Sequence, residues 1–457
     1  MKLSERVSET VLTWALILAV SLVPLLIDYR PSSGYLNYPF PKMRALLGLV
    51  VLATGSAILL RKRGRRSASP LDRPLIAYGV AIGIATAFSI DPWVSFFGRY
   101  NRYEGFLTLG AYLTVAALTA RYLREEEKVK RWIGALFAGS VLAMVYAIAQ
   151  YFGREIIPNL EWGGRSFSTM GNPDFLAMYL VLVQSLAMGL YLYSPRPPAG
   201  ALVWGISVGA YLTLLMTFSR AGWLGIAFSG ALIAVMGWQR IKEDPAIRRR
   251  LAILVVSLAV VTILFEWPGG PFARPGVRIT TRILSTGEVE TSGVSERLWI
   301  WYNTLLVIAK RPLIGWGPDT LSYVFPYRPQ ERYLEFVRRW GRFGIVDRAH
   351  NDFLHVAAST GLIGLAAYLW ILARFFGIVL QAVRRSPWSE FHPLLIGAVG
   401  GAAGYLATLQ FHFSVIDAAP LFWGMVGLAC GLAWETRRQQ EEAPEAGNTL
   451  EVGERSG

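Results

Sequence analysis

RAHNDFLHVAASTGLIGLAAYLW, residues 348–370, passes from a cluster of charged and amide side chains into a run that carries no further charge until Arg374. From about residue 352 to 373 the run has the length, roughly 20 residues, that a helix needs to cross the hydrocarbon core of a bilayer. The polar start therefore reads as a membrane surface and the run as a span. Eleven more apolar runs of similar length occupy 11–27, 43–60, 74–90, 105–120, 132–151, 174–193, 201–218, 221–238, 251–266, 392–412 and 419–434.

Composition agrees with that reading. Of 457 residues, 53% are hydrophobic and 17% charged, against about 25% charged in soluble domains. The expected fold is an all-α polytopic membrane protein of about twelve transmembrane helices. A transmembrane barrel is excluded, because its strands would be shorter and would alternate. Disordered chains and disulfide scaffolds are excluded by the same arithmetic. The single cysteine, Cys430, lies inside the last run, so neither an intrachain disulfide nor a cysteine metal cluster can form. No metal or other cofactor is expected. The formal charge of +14 does not point to nucleic acid, since the basic residues sit between spans, where orientation accounts for them. The first run has no cleavage site and is expected to stay as an anchor.

Twelve spans put both termini on one side. That side carries Lys2, Arg6, the run Arg61, Lys62, Arg63, Arg65, Arg66, and the groups at 121–131, 196, 240–250, 384–385 and 437–438. The short loops opposite hold fewer basic residues, Arg30, Lys42, Arg44, Arg99, Arg102, Arg154, Arg165 and Arg220. The excess places both termini in the cytoplasm. The chain divides into residues 1–266 with nine spans, a large outer loop at 267–350, three spans at 351–438, and a polar, disordered cytoplasmic tail at 439–457. Within the loop, 295–310 reads as an amphipathic helix capped by Ser295, 331–342 as a helix for the membrane interface, and 315–326 as a turn leading into a short helix.

Between residues 267 and 350 stand twelve Arg and Lys against seven Asp and Glu. Long loops translocate largely regardless of charge, so topology does not require this excess. Nearly all of it is arginine, whose planar fork suits phosphate oxygens. An anionic ligand is one reading; lipid headgroups and the loop's own acids are the other. Two arginines stand out. Arg220, in TFSRAGWLGI (217–226), sits at a tight hairpin between two spans, where a charge facing the bundle is a functional candidate. Arg297 lies in the first turn of the amphipathic helix, where backbone N–H groups also favour an anion.

Four histidines exist, His350, His355, His392 and His412, and none pairs at the spacing of a helical metal site. His350 begins a span at the outer surface, and an imidazole with an ordinary pKa near 6.5 can accept a hydroxyl proton near neutral pH. His355 should face elsewhere; His412 is the second choice. The spans lack charged groups at their centres, which counts against an ion-coupled transporter.

The order of TMGNPDFLAMYL (169–180), TFSRAGWLGI (217–226), SERLWIWYNTLLVIAKRPLIGWGPDT (295–320) and AHNDFLHVAASTGLIGLAAYL (349–369) resembles the O-antigen ligase superfamily over about residues 90 to 430. The resemblance implies a GT-C-like, inverting, metal-independent glycosyltransferase. Its donor would be a glycan on undecaprenyl or another polyprenyl diphosphate, and its acceptor a hydroxyl at the outer face of the cytoplasmic membrane. On the matching positions, Arg220 and Arg297 would bind the diphosphate and His350 would act as general base. Arg348 and Asn351 would neighbour the site, and Arg99 and Arg102 in FFGRYNRYEGF (96–106) would line the outer cavity. The superfamily holds lipopolysaccharide ligases, repeat-unit polymerases and protein O-oligosaccharyltransferases, so the acceptor stays open among lipid A-core, glycan and protein. The alternative of another class is a flippase for the same lipid; no internal repeat supports it.

Overall fold

The computed structural model describes residues 3–28, 38–61, 69–155, 163–194, 200–273, 278–284, 294–340, 345–386 and 388–453, with the backbone alone at 336, 339–340 and 439–453. Arg30, Lys62, Arg63, Arg65, Arg66, Arg196, Arg274, Glu288, Glu290 and Arg342 lie outside the described residues. In chain order the helices are α1 (Leu3–Ser21), α2 (Pro39–Arg61), α3 (Asp72–Ala87), α4 (Pro92–Phe97), α5 (Phe106–Tyr122), α6 (Glu126–Tyr151), α7 (Pro173–Tyr193), α8 (Gly200–Met216), α9 (Arg220–Met236) and α10 (Trp238–Glu243). There follow α11 (Pro245–Glu266), α12 (Ile279–Leu284), α13 (Val294–Lys310), α14 (Leu321–Val324), α15 (Gln330–Trp340), α16 (Asp352–Arg385), α17 (His392–Thr408) and α18 (Ala419–Gly453). Among the described residues no strand occurs.

Each of the twelve apolar runs falls on one of these helices. Four of them, α2, α6, α7 and α16, are long and apolar enough to cross a membrane by length and composition; α8 and α9 are apolar but shorter. The chain is a multi-pass membrane protein. α7 is apolar and buried on almost every face, which is how a helix at the centre of a bundle reads. It packs on α8, α9 and α17. Small residues let these backbones close up: a Cβ at Gly404 of α17 would stand 2.6 Å from Gly225 O of α9, and one at Gly189 of α7 would stand 2.5 Å from Pro393 O. Such approaches are a recurrent way of joining helices in lipid.

Among the described residues of 267–350 the helices α13, α14 and α15 fall where the pattern predicts helices, and two expectations about helix ends are corrected. α13 begins at Val294, so Ser295 is its second residue and not its cap. At the far end of the chain, the α18 backbone continues helical past residue 439 to Gly453.

α16 is broken at Gly361, whose φ of 70° and ψ of −178° are not helical. In an unbroken helix the N–H groups of residues 362 and 363 would bond to the carbonyls of 358 and 359. Here residues 312–317 of the loop take both sides of those bonds. Leu362 and Ile363 N–H donate to Pro312 and Leu313 O at 2.7 and 3.3 Å, and Trp316 and Gly317 N–H donate to Ala358 and Ser359 O at 3.0 and 2.9 Å. The freed groups are thus satisfied within the protein, as a break at membrane depth requires. Ser89 Oγ donates to Trp316 O at 3.0 Å and Ser95 Oγ to Pro318 O at 2.9 Å, so the α3–α4 connection clamps the same loop from its other side.

Candidate functional site

Three helix N-termini share one construction. A residue with left-handed backbone, then a capping side chain, precedes α7 (Gly171, Asn172), α9 (Phe218, Ser219) and α16 (His350, Asn351). Asn172 accepts from Asp174 N at 2.8 Å, Ser219 from Gly222 N at 3.4 Å and Asn351 from Leu354 N at 3.1 Å. Left-handed φ is unfavourable for Phe218 and His350, at 50° and 49°. Non-glycine residues hold it where surrounding structure compels it.

The α17–α18 connection ties these ends together. Asp352 N–H donates to Leu409 O at 2.9 Å, and Ser414 N–H donates to Asp352 Oδ1 at 2.9 Å. His412 Nε2 lies 3.9 Å from Asp174 Oδ1. Phe413 meets the His350 ring edge-on at 5.4 Å. Asp417 is ion-paired with the fully buried Lys42, which also donates to Thr169 O at 2.8 Å.

α13 brings the outer loop to this cluster. Its apolar face, Trp299, Ile300 and Val307, packs with Val346, Ala349 and Ala358. Arg297 and Trp301 are four residues apart and so share another face. Trp301 Nε1 donates to the His350 carbonyl at 3.3 Å. Arg297 is correspondingly an electrostatic neighbour of both His350 and Arg220. Burial, then the charge of Arg220, lowers the Arg297 pKa, with Asp174 opposing.

For His350 the expectation of an ordinary pKa is corrected. Burial pushes it down to about 3, helped by Arg297 and His412 and opposed by Asp347. The imidazole is neutral across the physiological range, and its Nδ1 is buried with no hydrogen-bond partner among the described residues.

Residues 205–369 match the O-antigen ligase family. The matched segment includes Arg220, Arg297, His350, the break in α16 at Gly361 and the loop that completes it. It supports the resemblance carried by the motifs. No curated protein matches the chain.

Around Arg220 and Arg297 stand residues that the sequence did not single out. Arg165 bonds Asp174 Oδ1 through Nη2 at 2.8 Å and Thr217 O through Nε at 2.7 Å, which straps the start of α7 to the α8–α9 hairpin. Arg282 has its pKa lowered by burial and by the charges of Arg165 and Arg220. Arg165, Arg282 and Arg297 thus share the field of one carboxylate, Asp174, and Arg220 acts on Arg282 and Arg297. Nothing local in the sequence marks Arg165 or Arg282, since their neighbours come from other helices.

The secondary candidates divide. Arg102 pairs with Asp347, Nε to Oδ2 at 2.7 Å, and its guanidinium lies 5.3 Å from the Phe413 ring, next to His350. Burial would raise the Asp347 carboxyl, but Arg102 and Arg348 hold it down to about 2. Arg99 turns away to Ser322, Nη1 to Oγ at 2.8 Å. Arg348 is buried, paired with Asp319, and lies 3.1 Å from His355 Nε2. With Glu104, Asp352 and Tyr368 it lines a cavity of about 60 Å³ whose other walls include Leu109, Val356 and Phe422. His355 lines that cavity too. Asn351 is a cap and an anchor, donating to Gln410 O at 3.2 Å. Arg348 and Asn351 therefore hold the turn that carries His350 and do not line its outer face.

Proposed function

We propose that the chain transfers a glycan from a polyprenyl diphosphate carrier to an acceptor hydroxyl at the outer face of the cytoplasmic membrane. In this reading all twelve helices expected from the sequence cross the bilayer and both termini lie in the cytoplasm. One observation carries the reading: Arg297 interacts electrostatically with both Arg220 and His350, three residues from distant parts of the chain. The O-antigen ligase match over residues 205–369 supports it.

The chemistry follows from the charges. The acceptor oxygen attacks the anomeric carbon while the bond from that carbon to the diphosphate oxygen breaks, and the electron pair leaves with the diphosphate. Arg220 and Arg297 stabilise the charge that gathers there, as preorganised donors do best. His350, neutral, takes the hydroxyl proton through Nδ1. Attack opposite the leaving group inverts the anomeric centre. The diphosphate also acts on the base: by offsetting the charge of Arg297 it raises the His350 pKa, so the imidazole becomes more basic once the donor is bound.

The test is release of carrier diphosphate from a labelled carrier-linked glycan by the purified protein. His350→Ala, Arg220→Gln and Arg297→Gln should each slow release by at least 100-fold in folded protein, the scale of a lost general base or charge-stabilising donor. Wild-type rates in all three would overturn the reading. The same incubation with lipid A-core, carrier-linked glycan or protein identifies the acceptor by which one becomes labelled.

A further inference from the structure

At the end of α16 opposite His350, a cavity of about 390 Å³ opens between α16 and α18. Arg374, Ile378, Gln381 and Arg385 line it from α16, and Trp434 and Arg437 from α18. Positions 374, 378, 381 and 385 follow helical spacing, so one face of α16 presents two guanidinium groups and an amide around an apolar floor. Among the described residues that line the cavity there is no Asp or Glu. Arg374 and Arg385 make no hydrogen bond or ion pair among the described residues.

The depth of Arg374 gives the cavity its meaning. It follows directly on the apolar run that ends at residue 373 and lies 13 residues past the break at Gly361, about 20 Å along the unbroken part of α16 at 1.5 Å per residue. With that run in the hydrocarbon core, Arg374 stands at its edge, where lipid phosphates begin. Arg385 lies about 16 Å further on, beyond that edge. Orientation alone asks for basic residues in loops. It does not ask for three arginines on facing sides of a pocket, one of them at the hydrocarbon boundary, with Trp434 beside them.

We propose that this cavity binds the phosphate headgroup of an anionic phospholipid in the leaflet opposite the glycan site. Paired N–H groups of Arg374 and Arg385 hold the phosphate oxygens, Arg437 adds charge from α18, and the acyl chains lie along α16 above Arg374. Basic pockets between membrane helices are suited to such headgroups. The inference rests on the chain spanning a bilayer and not on the transfer reaction, so the two can fail separately.

Native mass spectrometry of the full chain in neutral detergent decides it, with phosphatidylglycerol and phosphatidylcholine added in equal amounts. The wild type should retain phosphatidylglycerol at least five-fold over phosphatidylcholine. Arg374→Gln and Arg385→Gln, singly and together, should abolish that preference, and Arg249→Gln on the exposed surface of α11 should keep it. Both target side chains are exposed, and unchanged thermal unfolding without added lipid checks the fold. Equal retention of the two lipids by the wild type, or an unaltered preference in both single variants, overturns the proposal. Displacement of phosphatidylglycerol by equimolar inorganic phosphate reassigns the cavity to a free anion and overturns the lipid assignment.

Discussion

Arg102 and Asp347 form an ion pair, Nε to Oδ2 at 2.7 Å, that joins the α4–α5 connection to the segment carrying His350. The carboxylate it pins is the group that opposes the fall of the His350 pKa. The pair acts on the imidazole without lying in the proposed path of the diphosphate.

Asp347→Asn should therefore make His350 a weaker base. Glycan transfer should slow by about 10-fold, within the range of general-base effects, with little change in donor affinity. The split between kcat and KM in a steady-state transfer assay checks this, and Asp347→Glu should restore part of the rate.

The pH dependence has a definite sign. Removing a positive charge next to an imidazole raises its pKa. Arg297→Gln should move the acid limb of kcat/KM to higher pH, while burial, the larger cause, keeps it below 6.5. In the wild type, the acid limb of kcat should lie above that of kcat/KM, because the bound diphosphate offsets the same guanidinium. Rate profiles across pH 3 to 8 measure both limbs.

Lys42 and Asp417 form a buried pair that joins α2 to the α17–α18 connection. Either Lys42→Met or Asp417→Asn leaves a buried group without its partner and should destabilise by about 3 to 5 kcal/mol. Lys42→Met with Asp417→Leu should recover much of that loss. Thermal unfolding in detergent gives the comparison.

At Gly361 a side chain meets two obstacles, the left-handed φ of 70° and the carbonyl of Leu313, which a Cβ would strike. Gly361→Ala should destabilise by about 2 to 3 kcal/mol, the scale of backbone strain at such positions. Gly110→Ala, in α5 with open space around it, should change stability by less than about 1 kcal/mol. Protease nicking of the 311–317 loop should rise in the first variant and not in the second.

The helical character of the apolar runs was legible because length and apolarity are local properties, read one run at a time. Arg220, Arg297 and His350 were singled out through the motifs around them, and Arg297 is an electrostatic neighbour of the other two. Arg165, Asp174 and Arg282 were not, since what gathers them is the packing of α7 against α9 and the strap to Thr217. Lys42 looked like a loop charge because nothing near it in the chain announces Asp417. The ordinary pKa expected for His350 failed for a similar reason: the burial and the guanidinium that lower it arrive from other segments. Ser295 misled as a cap, because the helix already starts at Val294.

The break in α16 also bears on how the chain is made. Its backbone becomes complete only when it captures residues 312–317, which leave the ribosome earlier. The half-helix that follows the His350 turn therefore cannot mature before that upstream stretch is in place.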